Sequence, residues 1–148
     1  MTDSNHPTQV TNPMLAMNPT QPTPSTQSIP PAQTLDEQDA KLLILARGAR
    51  GRIGAVQGAA IRDEMGRTYS GATVATEHLT LSALQLAVAS ALAAGARGAE
   101  AAVVVQPMPT DLAAATVVGV DALRDLAGAG IAVYRCTPDG TIVDVQHT

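Results

Sequence analysis

Phenylalanine and tryptophan are absent from the 148 residues, and Tyr69 and Tyr134 are the only aromatic side chains. A core without large rings rests on Ala, Val, Leu and Ile, which permit close helix contacts but bury less area per residue. Cysteine is scarce as well. Cys136 stands alone, which excludes an intramolecular disulfide and makes a reducing compartment the expectation. Its apolar strand context predicts an inert buried thiol. Basic charge is also short: a net charge of −4 and a pI of about 5.1 exclude a broad phosphate-tracking surface. Arg47, Arg50 and Arg52 are the local exception, and their place near a helix end suits cations. No apolar run reaches a membrane span, because Leu79 to Gly95 is too short and carries Ser82, Gln85 and Ser90. The opening MTDSNHPTQ has no basic segment followed by an apolar one, so no secretory signal is expected. These absences together predict a cytoplasmic protein with no membrane and no nucleic-acid partner.

Proline is concentrated rather than lacking. Seven of the ten prolines fall in residues 1–34, among Thr, Gln, Asn and Ser, and such a tract buries too little surface to offset its ordering entropy. A disordered tail over 1–34 and a folded domain over 35–146 are therefore expected. Within the domain, a Thr34–Glu37 capping box opens a helix predicted over about Leu35–Arg47, ended by Gly48 and Gly51. Ala55–Ile61 and Arg67–Val74 flank the turn Asp63–Gly66 and read as a β-hairpin. Leu79–Gln106 then forms a long apolar helix capped by Thr80, a glycine-marked turn and a buried strand over 101–105. That helix is apolar nearly all round, which predicts burial on more than one side. A helix over Val120–Ala127 and strands over Ile131–Cys136 and Thr141–Val145 complete the chain. This order predicts an α/β domain, a three-layer α/β/α sandwich on a mixed five-stranded sheet.

The element order, with Gly58-Ala59-Ala60, Gly66-Arg67-Thr68-Tyr69-Ser70-Gly71 and Leu79-Thr80-Leu81-Ser82-Ala83, resembles the small cytidine deaminase family over about Leu35–Val145. The resemblance implies zinc held by three protein ligands and a water between two helix N-termini. Residue by residue, it fails at the chemistry. The family's first ligand falls on Ser82, and the carboxylate that moves protons falls on Leu84. Aligning Leu126-Ala127 with the family's Leu-Ala puts the two cysteine ligands on Gly119 and Ala122, with Val118 at the preceding proline. The nucleoside-binding Asn and Glu fall on Thr73 and Ala75.

A neutral serine hydroxyl is a poor zinc ligand, and leucine transfers no proton. Losing a positioned acid/base alone costs about 10²- to 10⁴-fold in rate. Glu77, His78, Asp111 and Asp121 are the only titratable residues expected near the pocket mouth. Adjacent Glu77 and His78 are expected to point apart, and Asp121 suits the first turn of its helix. Ser82 has no foreseeable base to make it a nucleophile. The expectation is therefore a fold with no zinc, its old pocket filled by Leu84, Val118 and Val120.

Three functions follow, the first favoured. One is a non-catalytic deaminase-like protein acting through partner binding or homo-oligomerisation, up to the tetramer that the resemblance implies, with Ala87, Ala91 and Ala94 as the contact surface. The second is a nucleoside or nucleobase sensor without hydrolysis. The third is a diverged hydrolase.

Overall fold

The computed structural model describes residues 34–111 and 116–148. The tail expected over 1–34 lies, but for Thr34, outside the described residues.

Helix α1 (Glu37–Ile53) opens at Asp36, whose carboxylate accepts the Asp39 amide at 2.7 Å. The cap is thus Asp36 and not Thr34, because a carboxylate both accepts the free amide and complements the helix dipole. Nor does the helix stop at Gly48 or Gly51. A glycine inside a helix costs only about 1 kcal/mol relative to alanine, and burial of Leu42, Ala46 and Ala49 carries the helix through both. It ends where a left-handed residue is available, at Gly54 with φ 62°.

Strand β1 (Gly58–Asp63) pairs antiparallel with β2 (Thr68–Ala72) and, on its other side, with β5 (Ala99–Val105). A short ribbon of β3 (Val74–Ala75) and β4 (Thr80–Leu81) stands apart from the main sheet. Helix α2 (Ala83–Ala93) follows, and α3 (Val120–Ala127) connects β5 to the parallel strand β6 (Ala132–Cys136). β7 (Ile142–His147) closes the sheet antiparallel to β6, giving the order β2-β1-β5-β6-β7. This is the expected mixed five-stranded α/β/α architecture. Alternation along β5 separates two cores. Ala101, Val103 and Val105 pack with Leu42, Ala46 and Cys136 on the α1 side, while Ala102 and Val104 pack with Leu84, Ala87, Leu123 and Leu126 on the α2/α3 side.

The expected long helix from Leu79 is shortened, since Thr80 and Leu81 pair with Ala75 and Val74 as β4. As expected, α2 is buried on more than one side, against β1 and β2 of the sheet and against α3. Ala83, Leu84, Ala87, Val88 and Ala91 are buried, whereas Leu92 is 54% exposed. Its uniform apolarity therefore leaves an outward side of Ala89, Leu92 and Ala93 without cover in the single chain.

Small residues let helices lie directly on strands. A Cβ on Gly58 would sit 2.0 Å from the Ala46 carbonyl oxygen of α1, and one on Gly71 would sit 2.7 Å from the Ala83 oxygen of α2. Charged pairs fix the edges. Arg62 of β1 donates to Asp39 of α1 at 2.9 Å and to Glu100 of β5 at 3.0 Å. Fully buried Arg135 of β6 donates through Nε to Asp144 of β7 at 2.7 Å.

The β1–β2 turn is built on Asp63. Its carboxylate accepts from the Met65 and Arg67 amides, the Arg67 Nε and the Tyr69 hydroxyl at 2.7–3.1 Å. Burial alone would raise its pKa, but those four donors outweigh burial and hold the carboxyl below its usual range.

Two outcomes follow. Gly71→Ala and Gly58→Ala each unfold the protein or lower its melting temperature by more than 10 °C, whereas Gly51→Ala, with open space around it, raises it by about 2–5 °C; thermal melts of the three variants check this. Because the Asp63 pKa is lowered on folding, its contribution is complete above about pH 4, the unfolded value, and is lost as pH falls through the folded one. Acid titration of Asp63→Asn should therefore show a shallower loss of stability below about pH 4 than the parent.

Candidate functional site

The N-termini of α2 and α3 meet at Ser82. Its backbone is extended, with φ −68° and ψ 161°, and it caps α2 in place of Thr80. The Ser82 Oγ accepts the Gln85 amide at 3.1 Å, and Gln85 Oε1 accepts the Ser82 amide at 2.9 Å, closing a reciprocal capping box. A hydroxyl carries one donor as well as two acceptor sites. The Ser82 donor goes to the Val118 carbonyl at 2.8 Å, across to the turn that opens α3.

Gly119 starts α3 at φ 106° and ψ 0°, with no side-chain cap. A Cβ there would lie 3.0 Å from Ser82 Oγ and 3.1 Å from both Cγ and the amide nitrogen of Gln85. Two helix N-termini are thus joined through a hydroxyl and a bare backbone. Leu84 is 1% exposed and Val117 3%, and both belong to the α2/α3 core. Val118, expected to fill the pocket, is 59% exposed and stands at its rim. The one-residue offset arises because the Val118 carbonyl turns to Ser82 while Val117 donates its amide to Gln146 at 3.3 Å. Val120 and Ala122 are partly buried against the same core.

The remaining candidates do not converge. Ala75 is exposed in β3, and Asp111 and Asp121 are exposed. Glu77 and His78 approach each other at 3.7 Å, contrary to expectation, but both side chains are almost fully exposed in a loop tied by Thr76 to Leu79. Among the described residues, no group of three His, Cys, Asp or Glu side chains could hold a metal. The three positions at the helix junction do not fit zinc either. Ser82, Gly119 and Ala122 offer one hydroxyl, already bonded twice, and no thiolate or imidazole. Cys136 lies on the opposite face of the sheet, and burial pushes its thiol up to about 11.

Beside Ser82 opens a cavity of about 400 Å³, lined by Val56, Gln57, Thr73, Thr80, Leu81, Ser82, Gln85 and Val118. None of these residues is charged. Gln57 Nε2 donates to Gln106 Oε1 at 2.7 Å, and the Thr73 amide donates to the Gln57 carbonyl at 3.1 Å. The Thr73 hydroxyl is buried and has no hydrogen-bond partner among the described residues. The sequence reading missed Gln57 and Gln85. Ser82-x-x-Gln85 does carry the capping-box signal, which a search starting at Thr80 passes over. An orphaned buried hydroxyl costs about 1–3 kcal/mol, so Thr73→Val should raise the melting temperature by a few degrees; a clear fall in a thermal melt would show that the hydroxyl is satisfied.

Solved structures similar to this chain are cytidine deaminases. That of Burkholderia pseudomallei is 24% identical with a TM-score of 0.59, covering 74% of this chain and 90% of that one. That of Mycobacterium leprae is 21% identical with a TM-score of 0.55, covering 76% and 94%. For that of Mycobacterium tuberculosis the values are 22%, 0.53, 66% and 85%. At these identities the likeness shows the fold. No curated protein matches the chain. The cytidine deaminase-like family itself matches residues 35–140, from the approach to α1 to the turn before β7, and on that span the chain belongs to the cytidine deaminase-like family.

Proposed function

We propose that this chain is a non-catalytic member of its family, acting in the cytoplasm without zinc or another cofactor by assembling with copies of itself or with a protein partner. The observation that carries the loss of catalysis is the junction of α2 and α3. The position of the proton-moving carboxylate is a leucine buried in the core, and the hydroxyl at the first ligand position is held by Gln85 and Val118. Hydrolytic deamination needs an activated water and a group to pass its proton. Among the described residues, Ser82, Leu84, Gly119 and Ala122 at this junction offer no group of that kind.

Exposed large apolar side chains support assembly. Val56 is 65% exposed, Val118 59%, Leu79 51% and Leu92 54%, and Val56 and Val118 line one cavity. The contact surface expected on Ala87, Ala91 and Ala94 is revised, since Ala87 and Ala91 are fully buried inside the chain. The outward side of α2 that remains is Ala89, Leu92 and Ala93.

A second reading, an uncharged nucleoside or nucleobase held without reaction, is favoured by the cavity and its orphaned Thr73 hydroxyl. The absence of a lining aromatic and of the family's Asn/Glu pair weighs against it.

Purified protein is expected to show no cytidine deamination above the blank, zinc well below one equivalent, and an oligomer by light scattering whose mass falls in Leu92→Glu. Zinc-dependent turnover would overturn the non-catalytic reading. A monomer whose melting temperature rises by several degrees with cytidine or uracil would favour the sensor.

A further inference from the structure

We infer that a metal-free clamp, Ser82 Oγ donating to the Val118 carbonyl with Gly119 seated against Gln85, has taken over the mechanical work of joining the N-termini of α2 and α3, and that it closes the junction to zinc even when ligands are restored. This rests on the proposed loss of zinc and is independent of assembly.

Three geometric facts carry it. First, the Ser82 hydroxyl bonds in both directions at once, accepting from Gln85 within its own helix and donating across to Val118. Asparagine or aspartate would cap α2 equally well, but aspartate has no proton to donate across the junction. Second, Gly119 holds φ 106°, a backbone region that side chains with a Cβ rarely adopt. Third, a Cβ at that position meets Ser82 Oγ at 3.0 Å and the Gln85 amide nitrogen at 3.1 Å. Gln85 cannot withdraw freely, because its side chain is closing the box on the Ser82 amide. Zinc with its thiolates needs about 2.3 Å for each metal–sulfur bond, and here the two chain segments that would flank it are already in van der Waals and hydrogen-bond contact. Val117 and Leu84, both buried behind this contact, keep the segments together from the core side.

The test separates a clamp from an ordinary cap. Ser82→Ala should lower the melting temperature by about 5 °C or more and speed amide hydrogen exchange in both the first turn of α2 and residues 118–123. Ser82→Thr keeps donor and acceptor and should restore most of the loss. Ser82→Asp keeps only the acceptor, so exchange should slow again in α2 but stay fast at 118–123. Full recovery of both segments in Ser82→Asp would reduce Ser82 to a cap and overturn the inference. Separately, Ser82→Cys/Gly119→Cys/Ala122→Cys, with Leu84 unchanged, should bind less than one zinc by native mass spectrometry and gain no stability from added zinc. One tightly bound zinc with a raised melting temperature would overturn it too. The Ser82 series decides whether the clamp exists even where the triple variant does not fold. Light scattering on the same samples reports assembly, so failure of the clamp and failure of the proposed function are read separately.

Discussion

Backbone-to-backbone approach is the constraint on which this structure depends. Without Phe or Trp, and with Ala and Val filling most of its core, the chain cannot hold helices off the sheet on large side chains. It brings them down onto the strands instead. Gly58 under α1 and Gly71 under α2 leave no room for a Cβ. Close approach restores the contact density that small side chains would otherwise forfeit. The ion pairs of Arg62 and Arg135 then tie α1 and the edge strand β7 to the sheet.

The junction of α2 and α3 uses the same device at a third glycine. Here Gly119 reaches Ser82 and Gln85 without a side chain between them. A serine that would be a poor ligand is a good bridge, because one hydroxyl serves two bonds of opposite polarity. Beside this bridge opens an uncharged cavity whose lining includes the exposed Val56 and Val118.

Much of this is legible in the sequence. Alternating apolar runs and glycine punctuation place β1, β2, β5, α3, β6 and β7 within a few residues, since strand burial and helix-stopping glycines are local signals. The misreadings share a cause. Gly48 and Gly51 look like helix stops, but burial of Ala46 and Ala49 on the sheet is non-local and decides the outcome. Thr80 looks like a cap, but β3 claims it as a strand partner. Ala87, Ala91 and Ala94 look like one surface, while tertiary packing puts the first two inside. At the site, the types of Ser82, Leu84, Gly119 and Ala122 speak for themselves. The Ser82–Val118 bond spans 36 residues of chain and has no sequence signature.

The function proposed for this chain, a deaminase-like fold used for packing and contact, rests above all on the junction of α2 and α3. The most direct measurement is a crystal grown with millimolar zinc and recorded on both sides of the zinc absorption edge. The account predicts no anomalous peak between Ser82, Gly119 and Ala122, with the Ser82–Val118 hydrogen bond intact. An anomalous peak at that junction, with α3 drawn back from Ser82, would contradict it.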